Sequence, residues 1–345
     1  MADRWVHTWT AMPQSLPSPV DCGAVHQTVR VTVGGDTLRV RFSNAYGLSG
    51  LRISAATVAV PRHAGSREIV PGSARELRFG GHSSVEVPPG APMVSDPVVM
   101  PLAPRSDLAI TLRLGGPVST YHPGSRTTSW LDSTPVDHWF VISGVEVVSA
   151  APGLVLLGDS LTDGRGSTTN GNDRWPDLLA VRAPGIALLN QAAGGNQLLG
   201  DANGPNMLSR FDRDMLGVSG AFGVFVFAGV NDIGTGTPPG AVIAAYRQLV
   251  TRSHAAGLRI LGATLTPFGG HEYDAAESSR TTVNAAIRGG LFDDYVDFDA
   301  AVRAPGSPSR LAPPYDTGDH LHLNPPGYAT LANTFPLHWL DHGSA

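Results

Sequence analysis

The alternation of apolar and polar residues changes at residues 151–153 of this 345-residue chain, and the change predicts two domains. Before that point, short segments with apolar residues at every second position are separated by turns rich in glycine and proline. Repeated segments of this kind are typical of an antiparallel β-sandwich. The sequence therefore predicts a β-sandwich or jelly-roll-like accessory domain over residues 1–150, with strands at 25–33, 37–43, 52–60, 83–87, 107–114 and 138–148.

The first two of these segments, VRVTV and TLRVRF, lie on either side of a Gly-Gly-Asp turn. Glycine between two alternating segments favours a tight hairpin connection. We therefore expect these segments to pair as a β-hairpin. The residues expected to face water are Arg30, Thr32, Arg39 and Arg41.

After residue 151 the pattern becomes one of continuously apolar strands that alternate with helical stretches. Strands are predicted at 154–157, 186–189, 222–227, 258–264 and 295–298, and helices at 175–181, 241–256 and 278–287. Alternation of this kind indicates an α/β domain with a doubly wound parallel sheet. We expect this domain to occupy residues 151–345.

A Gly-Asp-Ser-Leu turn follows the first of the parallel strands, within LVLLGDSLTD at residues 154–163. The turn presents Ser160 at the carboxyl end of a strand, where α/β sheets usually hold their reactive groups. Glycine, aspartate and serine are also common in any tight turn. Taken alone, the motif therefore fits equally a turn that only caps a helix.

Three further segments supply the other groups that acyl transfer requires. AGGNQ follows the second strand and contains Gly195, and GVND follows the third strand and contains Asn231. Near the C-terminus, YDTGDHLHL places Asp319 three residues before His322. A nucleophile, a histidine base, a carboxylate that orients it and donors for an oxyanion make a complete set.

With these four segments in order, residues 152–340 resemble the SGNH hydrolases, also called GDSL-type esterases and lipases. The resemblance implies a flavodoxin-like catalytic domain, here after an N-terminal β-rich domain, that works through a covalent acyl-enzyme without metal or organic cofactor. It implies Ser160 as the nucleophile, His322 as the base and Asp319 as its orienting carboxylate. The oxyanion hole implied by the resemblance consists of Ser160, Gly195 and Asn231.

Several residues in and near these segments have a second interpretation. Asp159 and Asp232 follow strands, and we expect them to cap backbone amides rather than act as bases. His320 and His322 have the spacing of a metal-binding pair, but no third ligand is evident nearby, and we expect no metal site. Leu323 stands where many SGNH hydrolases have proline, which weakens the expectation of a rigid loop. His254 and His271 lie outside the motifs and are expected at the surface.

The segment YHPGSRTTSW at residues 121–130 is polar, contains glycine and is flanked by aromatic residues. It fits a loop that faces substrate, and it fits equally a long connection between strands of the sandwich. The resemblance to esterases with a β-rich domain extends loosely to this segment and to SNAYG at 43–47. Asn44, His122 and Arg126 are therefore candidate substrate-binding residues.

Composition excludes several classes of function. The chain has 24 basic residues, all of them arginine, so Schiff-base chemistry, pyridoxal phosphate attachment and a P-loop lysine are excluded. A net charge of −5 without runs of like charge argues against nucleic acid and anionic membranes as partners. The single cysteine, Cys22, excludes an intramolecular disulfide and a thiolate metal cluster.

The sequence predicts a carboxylic ester hydrolase that acts on short-chain, aryl or acetylated carbohydrate esters. A lysophospholipase or lipase-type acylhydrolase and a catalytically idle carbohydrate-binding protein are the alternatives. No signal peptide and no apolar run of about 18 residues is evident. We therefore expect no integral membrane association, and a cytoplasmic protein and a secreted protein whose leader was removed both remain open, as does the oligomeric state.

Overall fold

The structure of the protein is a computed structural model that describes residues 4–341. The chain divides into two compact units. The first comprises the chain up to Pro152 together with Thr169–Asn172, and the second comprises Gly153–Thr168 and the chain from Asp173 onward.

The N-terminal unit consists of short strands, in the order β1 Arg4–Thr10, β2 Gln14–Val20, β3 Ala24–Arg30, β4 Gly35–Ser43, β5 Leu51–Ala59, β6 Arg75–Glu76, β7 Val85–Val87, β8 Pro92–Val94, β9 Val98–Leu102, β10 Asp107–Gly115, β11 Val118–His122, β12 Ser129–Leu131, β13 Thr134–Val136, β14 Trp139–Phe140 and β15 Ile142–Ser149. One sheet has the order β1-β15-β4-β8 with β9 also on β4, and a second has the order β13-β12-β3-β10-β5-β6 with β7 on β5. A smaller sheet has the order β14-β11-β2. The pairings are antiparallel, and the predicted β-sandwich is confirmed.

The predicted hairpin between the first two strand segments is wrong. Strand β3 pairs with β10 and β12, whereas β4 pairs with β15 in the other sheet, so the chain changes sheets between them. The Thr8 hydroxyl, from β1, accepts hydrogen bonds from the amides of Thr32 and Val33 in this connection, at 3.1 and 2.9 Å. The amides of Thr32 and Val33 thus find their acceptor on β1 rather than on β4.

Arg39 and Arg41 on β4 are partly exposed, as their alternation with apolar residues predicts. Both also bind the buried carboxylate of Glu146 on β15, at 2.6 and 3.1 Å. A buried carboxylate requires such charged partners, because losing its hydration is costly. The sequence pattern identified the exposed positions but not their common partner.

The C-terminal unit alternates strands and helices, in the order β16 Gly153–Gly158, α1 Ser160–Asp163, α2 Trp175–Arg182, β17 Ala187–Asn190, α3 Met207–Phe211, β18 Ala221–Phe227, α4 Val230–Gly234, α5 Pro239–Ala255, β19 Arg259–Ala263, α6 Glu277–Arg288, β20 Asp294–Val296, α7 Phe298–Val302, β21 Arg303–Ala304, β22 Ser307–Leu311 and α8 Pro325–Thr334. A π-helix spans Asp212–Leu216, and 3-10 helices span Asp274–Ala276, Pro313–Tyr315 and Leu337–Trp339.

The main sheet of this unit is parallel, with the order β17-β16-β18-β19-β20. This flavodoxin-like order confirms the predicted doubly wound fold. The chain passes from β16 to β17 on one side and then crosses to β18 on the other. Open α/β sheets bind ligands at such a switch point, beyond the carboxyl ends of the strands.

The core of the C-terminal unit is strongly aromatic. Trp175 on α2 is buried and packs against Phe225 on β18 and Phe298 on α7, with ring centroids 5.4 and 5.8 Å apart. It also stacks on Phe335, which follows α8, at 6.3 Å. These contacts fix helices on the sheet and thereby the loops that follow the strands. Across residues 4–341, every helix is too short or too polar to cross a bilayer.

Candidate active site

The turn after β16 presents Ser160 as the first residue of the short helix α1. Asp159 is its N-cap, and one carboxylate oxygen accepts a hydrogen bond from the amide of Leu161 at 3.0 Å. Gly158 allows the close packing beneath the turn, since a Cβ there would lie 2.6 Å from that of Thr162 and 3.0 Å from the carbonyl oxygen of Phe227. The serine is thus held on a short, capped turn at the switch point of the sheet.

The structure brings Ser160, His322 and Asp319 together in a chain of hydrogen bonds. Ser160 Oγ lies 2.8 Å from His322 Nε2, and His322 Nδ1 lies 2.6 Å from Asp319 Oδ2. Asp319 Oδ1 accepts hydrogen bonds from the amides of Leu321 and His322 at 3.0 and 2.8 Å. Both carboxylate oxygens are therefore held in place, which fixes the plane and tautomer of the imidazole.

The loop that carries Asp319 and His322 is closed by backbone contacts. Thr317 donates its amide to the carbonyl oxygen of His322 at 3.1 Å, and Asp316 and Leu323 form an isolated β-bridge. The Leu323 side chain is fully buried. The bridge and this burial hold the loop at the position where many SGNH hydrolases have proline.

The electrostatic environment favours an ionised Asp319 beside a neutral His322. Burial alone would raise the pKa of Asp319, but hydrogen bonds from the backbone and imidazole of His322 and from the Leu321 amide hold it well below its ordinary value. Burial lowers the pKa of His322, Asp319 opposes this effect, and electrostatic interactions with Arg165 and His271 lower the pKa further. A neutral imidazole is the form that can accept a proton from serine.

His320 points away from this chain of hydrogen bonds. Its backbone φ is +66°, its side chain is partly exposed, and Nδ1 lies 2.7 Å from Asp316 Oδ2. His320 and His322 thus contact different carboxylates. Within residues 4–341, no group of three or more His, Cys, Asp or Glu side chains is arranged to hold a metal ion.

Gly195 lies on the loop after β17, which the backbone ties to the nucleophile strand. Ala193 donates its amide to the carbonyl oxygen of Gly158 at 3.2 Å, and Gly194 donates to Asp163 Oδ2 at 3.1 Å. Gly195 has φ of +70°, and a Cβ there would lie 2.2 Å from the side-chain nitrogen of Asn203. The position therefore favours glycine for its backbone conformation and for space.

Asn231 lies in the first turn of α4, immediately beyond β18, and is almost fully buried. Its amide nitrogen donates to the carbonyl oxygen of Asn196 at 3.1 Å, which connects α4 to the loop of Gly195. Asn231, Ser160 and the Gly195 loop thus follow the adjacent strands β18, β16 and β17. The arrangement supplies hydrogen-bond donors beyond the carboxyl edge of the sheet.

The aspartates beside these residues hold backbone amides, as the sequence analysis expected. Asp232 accepts hydrogen bonds from the amides of Leu198 and Leu199 at 2.9 and 3.0 Å. Burial, together with the charges of Asp232 and Asp163, raises the pKa of Asp159 to about 7 against the opposing effect of the hydrogen bond from the Leu161 amide. Neither carboxylate is a partner of Ser160 or His322.

Sequence reasoning missed three residues of this site, Arg165, His271 and Tyr273. The charges of Arg165 and His271 both reach His322, although His271 was expected outside the site. Tyr273 donates a hydrogen bond from its hydroxyl to Asn231 Oδ1 at 3.4 Å. Arg165 follows the Gly-Asp-Ser-Leu turn by only a few residues, which is the one signal that could have identified it. His254 is exposed and binds Asp293 at 2.8 Å, as expected of a surface residue.

The candidate substrate-binding residues of the N-terminal unit have structural contacts there. Asn44 is buried and donates its amide to the carbonyl oxygens of Ser49 and Val87 at 2.9 and 3.0 Å. His122 is buried, with Nδ1 3.0 Å from the carbonyl oxygen of Met12. Arg126 is half-buried at a φ of +53°, and its carbonyl oxygen accepts a hydrogen bond from the amide of Asn170 at 2.8 Å. Their contact with substrate stays a prediction.

Comparison with known proteins adds a family match. The model of the GDSL-like lipase/acylhydrolase family matches residues 156–330, slightly more than half of the chain. Similar solved structures include a GDSL-like lipase from Bacteroides thetaiotaomicron, with 16% identity and a TM-score of 0.42 over 53% of this chain and 84% of that one. A member of the lipolytic G-D-S-L family from Veillonella parvula has 17% identity and a TM-score of 0.40 over 53% and 96%.

An acetyl xylan esterase is also similar in structure, with 18% identity and a TM-score of 0.41 over 53% of this chain and 96% of that one. No protein among the curated ones matches the chain significantly.

Proposed function

Because this chain belongs to the GDSL-like lipase/acylhydrolase family, we propose that it is a serine esterase that works through a covalent acyl-enzyme. The observation that carries this proposal is the continuous hydrogen-bonded chain from Ser160 through His322 to Asp319, with distances of 2.8 and 2.6 Å. These distances suit proton transfer from a nucleophile to a base and orientation of that base by a carboxylate.

In the proposed reaction, Ser160 Oγ attacks the ester carbonyl carbon while His322 Nε2 accepts the serine proton. Asp319 stays ionised and stabilises the imidazolium that forms. The tetrahedral intermediate collapses, the carbon–oxygen bond to the alcohol breaks, and His322 returns the proton to the leaving alcohol. A water molecule then attacks the acyl-enzyme with the same base, which releases the acid and restores Ser160. This chemistry requires neither a metal ion nor an organic cofactor.

The proposed oxyanion hole consists of the backbone amides of Ser160 and Gly195 and the side-chain amide of Asn231. The loop of Gly195 and helix α4 support this proposal, since backbone hydrogen bonds and the Asn231–Asn196 bond hold them against the nucleophile strand. A donor that is already in position needs no reorganisation energy when negative charge develops on the substrate oxygen. One such donor contributes about 3–4 kcal/mol to lowering the barrier.

We propose short-chain, aryl or acetylated carbohydrate esters as substrates. The sequence contains no long apolar segment that would form a lid of the kind that favours long acyl chains, and its loops are rich in Gly, Ser, Thr and Asn. Residues 1–150 are proposed as an accessory domain, and residues 151–345 as the catalytic domain.

Hydrolysis of 4-nitrophenyl esters of increasing chain length tests this function. We expect turnover of the acetate, with kcat/KM falling as the acyl chain lengthens, and release of acetate from acetylated xylan. A preference for long acyl chains or for lysophosphatidylcholine would instead show a lipase-type acylhydrolase. Absence of turnover on all of these esters would favour a carbohydrate-binding protein on the same scaffold.

The pH dependence of this activity follows from the lowered pKa of His322. Because burial and the nearby charge of Arg165 favour the neutral imidazole of His322, kcat/KM should stay constant at neutral pH and fall at lower pH as His322 becomes protonated. The acidic midpoint should therefore lie below about 6.5, the ordinary value for histidine. A pH profile of kcat/KM measures it, and the His320→Ala variant should keep the same midpoint. An acidic midpoint above 6.5 would contradict the conclusion that burial lowers the pKa of His322.

A further inference from the structure

Tyr273 lies directly against the helix that carries Asn231. It belongs to the loop between β19 and α6, and its ring covers Gly234, the last residue of α4. A Cβ at Gly234 would lie 2.4 Å from the ring atoms of Tyr273. Glycine at this position therefore permits the ring to approach the backbone of α4, which brings its hydroxyl to the amide of Asn231.

The side-chain amide of Asn231 is held at both ends. Its oxygen accepts the hydroxyl of Tyr273 at 3.4 Å, and its nitrogen donates to the carbonyl oxygen of Asn196 at 3.1 Å. An amide nitrogen carries two hydrogens, and the bond to Asn196 uses one of them. The second N–H is left for a further acceptor.

A rotation of this amide by 180° would reverse both contacts. Its oxygen would then face the carbonyl oxygen of Asn196, and its nitrogen would face the hydroxyl of Tyr273. In that orientation an acceptor, rather than a donor, would occupy the place of the free N–H. The carbonyl oxygen of Asn196 can only accept, so it favours the orientation in which the amide nitrogen faces it, and the hydroxyl of Tyr273 stabilises that orientation by donating to the amide oxygen.

The environment of Tyr273 keeps its hydroxyl protonated and therefore able to donate. Burial raises the pKa of the hydroxyl, and the charges of Glu272 and Asp159 raise it further, so the proton is retained at neutral pH. The ring is also held by an edge contact with His271, with centroids 4.6 Å apart, and by Phe268 at 6.3 Å. These contacts restrain the position of the hydroxyl without using it.

We propose that Tyr273 is a positioning residue for catalysis, whose hydroxyl fixes the orientation of the Asn231 amide so that its free N–H is directed at the oxyanion. The proposal rests on the proposed esterase function and on the role of Asn231 in it. It assigns to the loop after β19 a part in transition-state stabilisation. Tyr273 itself is not assigned a contact with the reacting atoms.

The Tyr273→Phe variant tests this proposal because it keeps the ring over Gly234 and removes only the hydroxyl. With 4-nitrophenyl acetate, we expect kcat to fall about 10-fold with KM changed by less than about 2-fold, since the amide orientation acts mainly on the transition state. Tyr295→Phe, which removes a hydroxyl from another half-buried tyrosine, on β20, is the matched control and should leave both constants unchanged.

A double-mutant cycle shows whether Tyr273 acts through Asn231. Asn231→Ala should lower kcat by about 10²–10³-fold with little change in KM. In that background, Tyr273→Phe should have no further effect, because the group it positions is absent. An equal fall in both backgrounds, a change confined to KM or an unchanged kcat would each overturn the proposal.

Failure of the proposed function is distinguishable from failure of this inference. If the wild-type protein hydrolyses none of the esters, or if its activity survives loss of the Ser160 hydroxyl, the esterase proposal fails and the role of Tyr273 fails with it. If the wild type is active through Ser160 and the cycle is additive, only the role of Tyr273 is overturned.

Discussion

Replacing Ser160 with alanine should lower kcat for ester hydrolysis by about 10³-fold or more. Covalent catalysis requires the hydroxyl that lies 2.8 Å from His322 Nε2, and no other group at the turn replaces it. The fold should be retained, because the cap of α1 is formed by the Asp159 carboxylate and the Leu161 amide rather than by the serine side chain. Steady-state kinetics and circular dichroism measure the two effects.

A fluorophosphonate probe provides an independent measure of the same residue. We expect mass spectrometry to find a single adduct on Ser160 in the wild-type protein and no adduct in the Ser160→Ala variant. Ser278→Ala, at an exposed serine near the start of α6, should retain both labelling and turnover. An adduct on another residue, or burst kinetics in the folded Ser160→Ala variant, would refute the assignment of the nucleophile.

The second large effect is expected at His322 and should separate it from His320. His322→Ala removes the group between Ser160 and Asp319 and should nearly abolish activity at neutral pH. His320→Ala should retain most of the activity, because its imidazole contacts Asp316 at a partly exposed position. Measurement of kcat/KM for both variants with one acetate ester provides the comparison.

The two histidine variants also check the turn that brings Asp319 to His322. Residues one position apart point in different directions in a loop, whereas a turn can return to the carboxylate three residues later. If His320→Ala were inactive and His322→Ala active, both the base and the geometry of this loop would be wrong. Unchanged thermal unfolding of both variants is the control, because the loop is held by the amide of Thr317, which donates to the carbonyl oxygen of His322, and by the amide of Leu321, which donates to the Asp319 carboxylate.

Much of the fold of the C-terminal unit was predictable because the information that specifies it is local in the sequence. Continuously apolar strands such as Phe222–Phe227 specify a sheet that is buried on both faces, and each strand is followed at once by a polar segment. Parallel strands bring such segments to one edge of the sheet. The proximity of Ser160, Gly195 and Asn231 therefore follows from their positions after strands, and the spacing of Asp319 and His322 follows from one turn.

Contacts between distant parts of the chain were not predictable in this way. Strands β3 and β4 are close in sequence and separated by a turn signal, yet they lie in different sheets, β3 beside β10 and β4 beside β15. Glu146 joins Arg39 and Arg41 across more than 100 positions. Alternation predicts which face of a strand is buried, but not which strand lies beside it.

The same distinction applies within the candidate site. The Ser160 turn and the Asp319–His322 spacing are encoded within a few residues each, so the sequence alone determines which side chains are available for the proposed acyl transfer. Tyr273 reaches Asn231 from 42 positions away, and the charges of Arg165 and His271 meet at His322 from separate loops. Their positions depend on how the loops pack on the sheet, so only the folded chain determines how the amide is oriented and how the base is tuned.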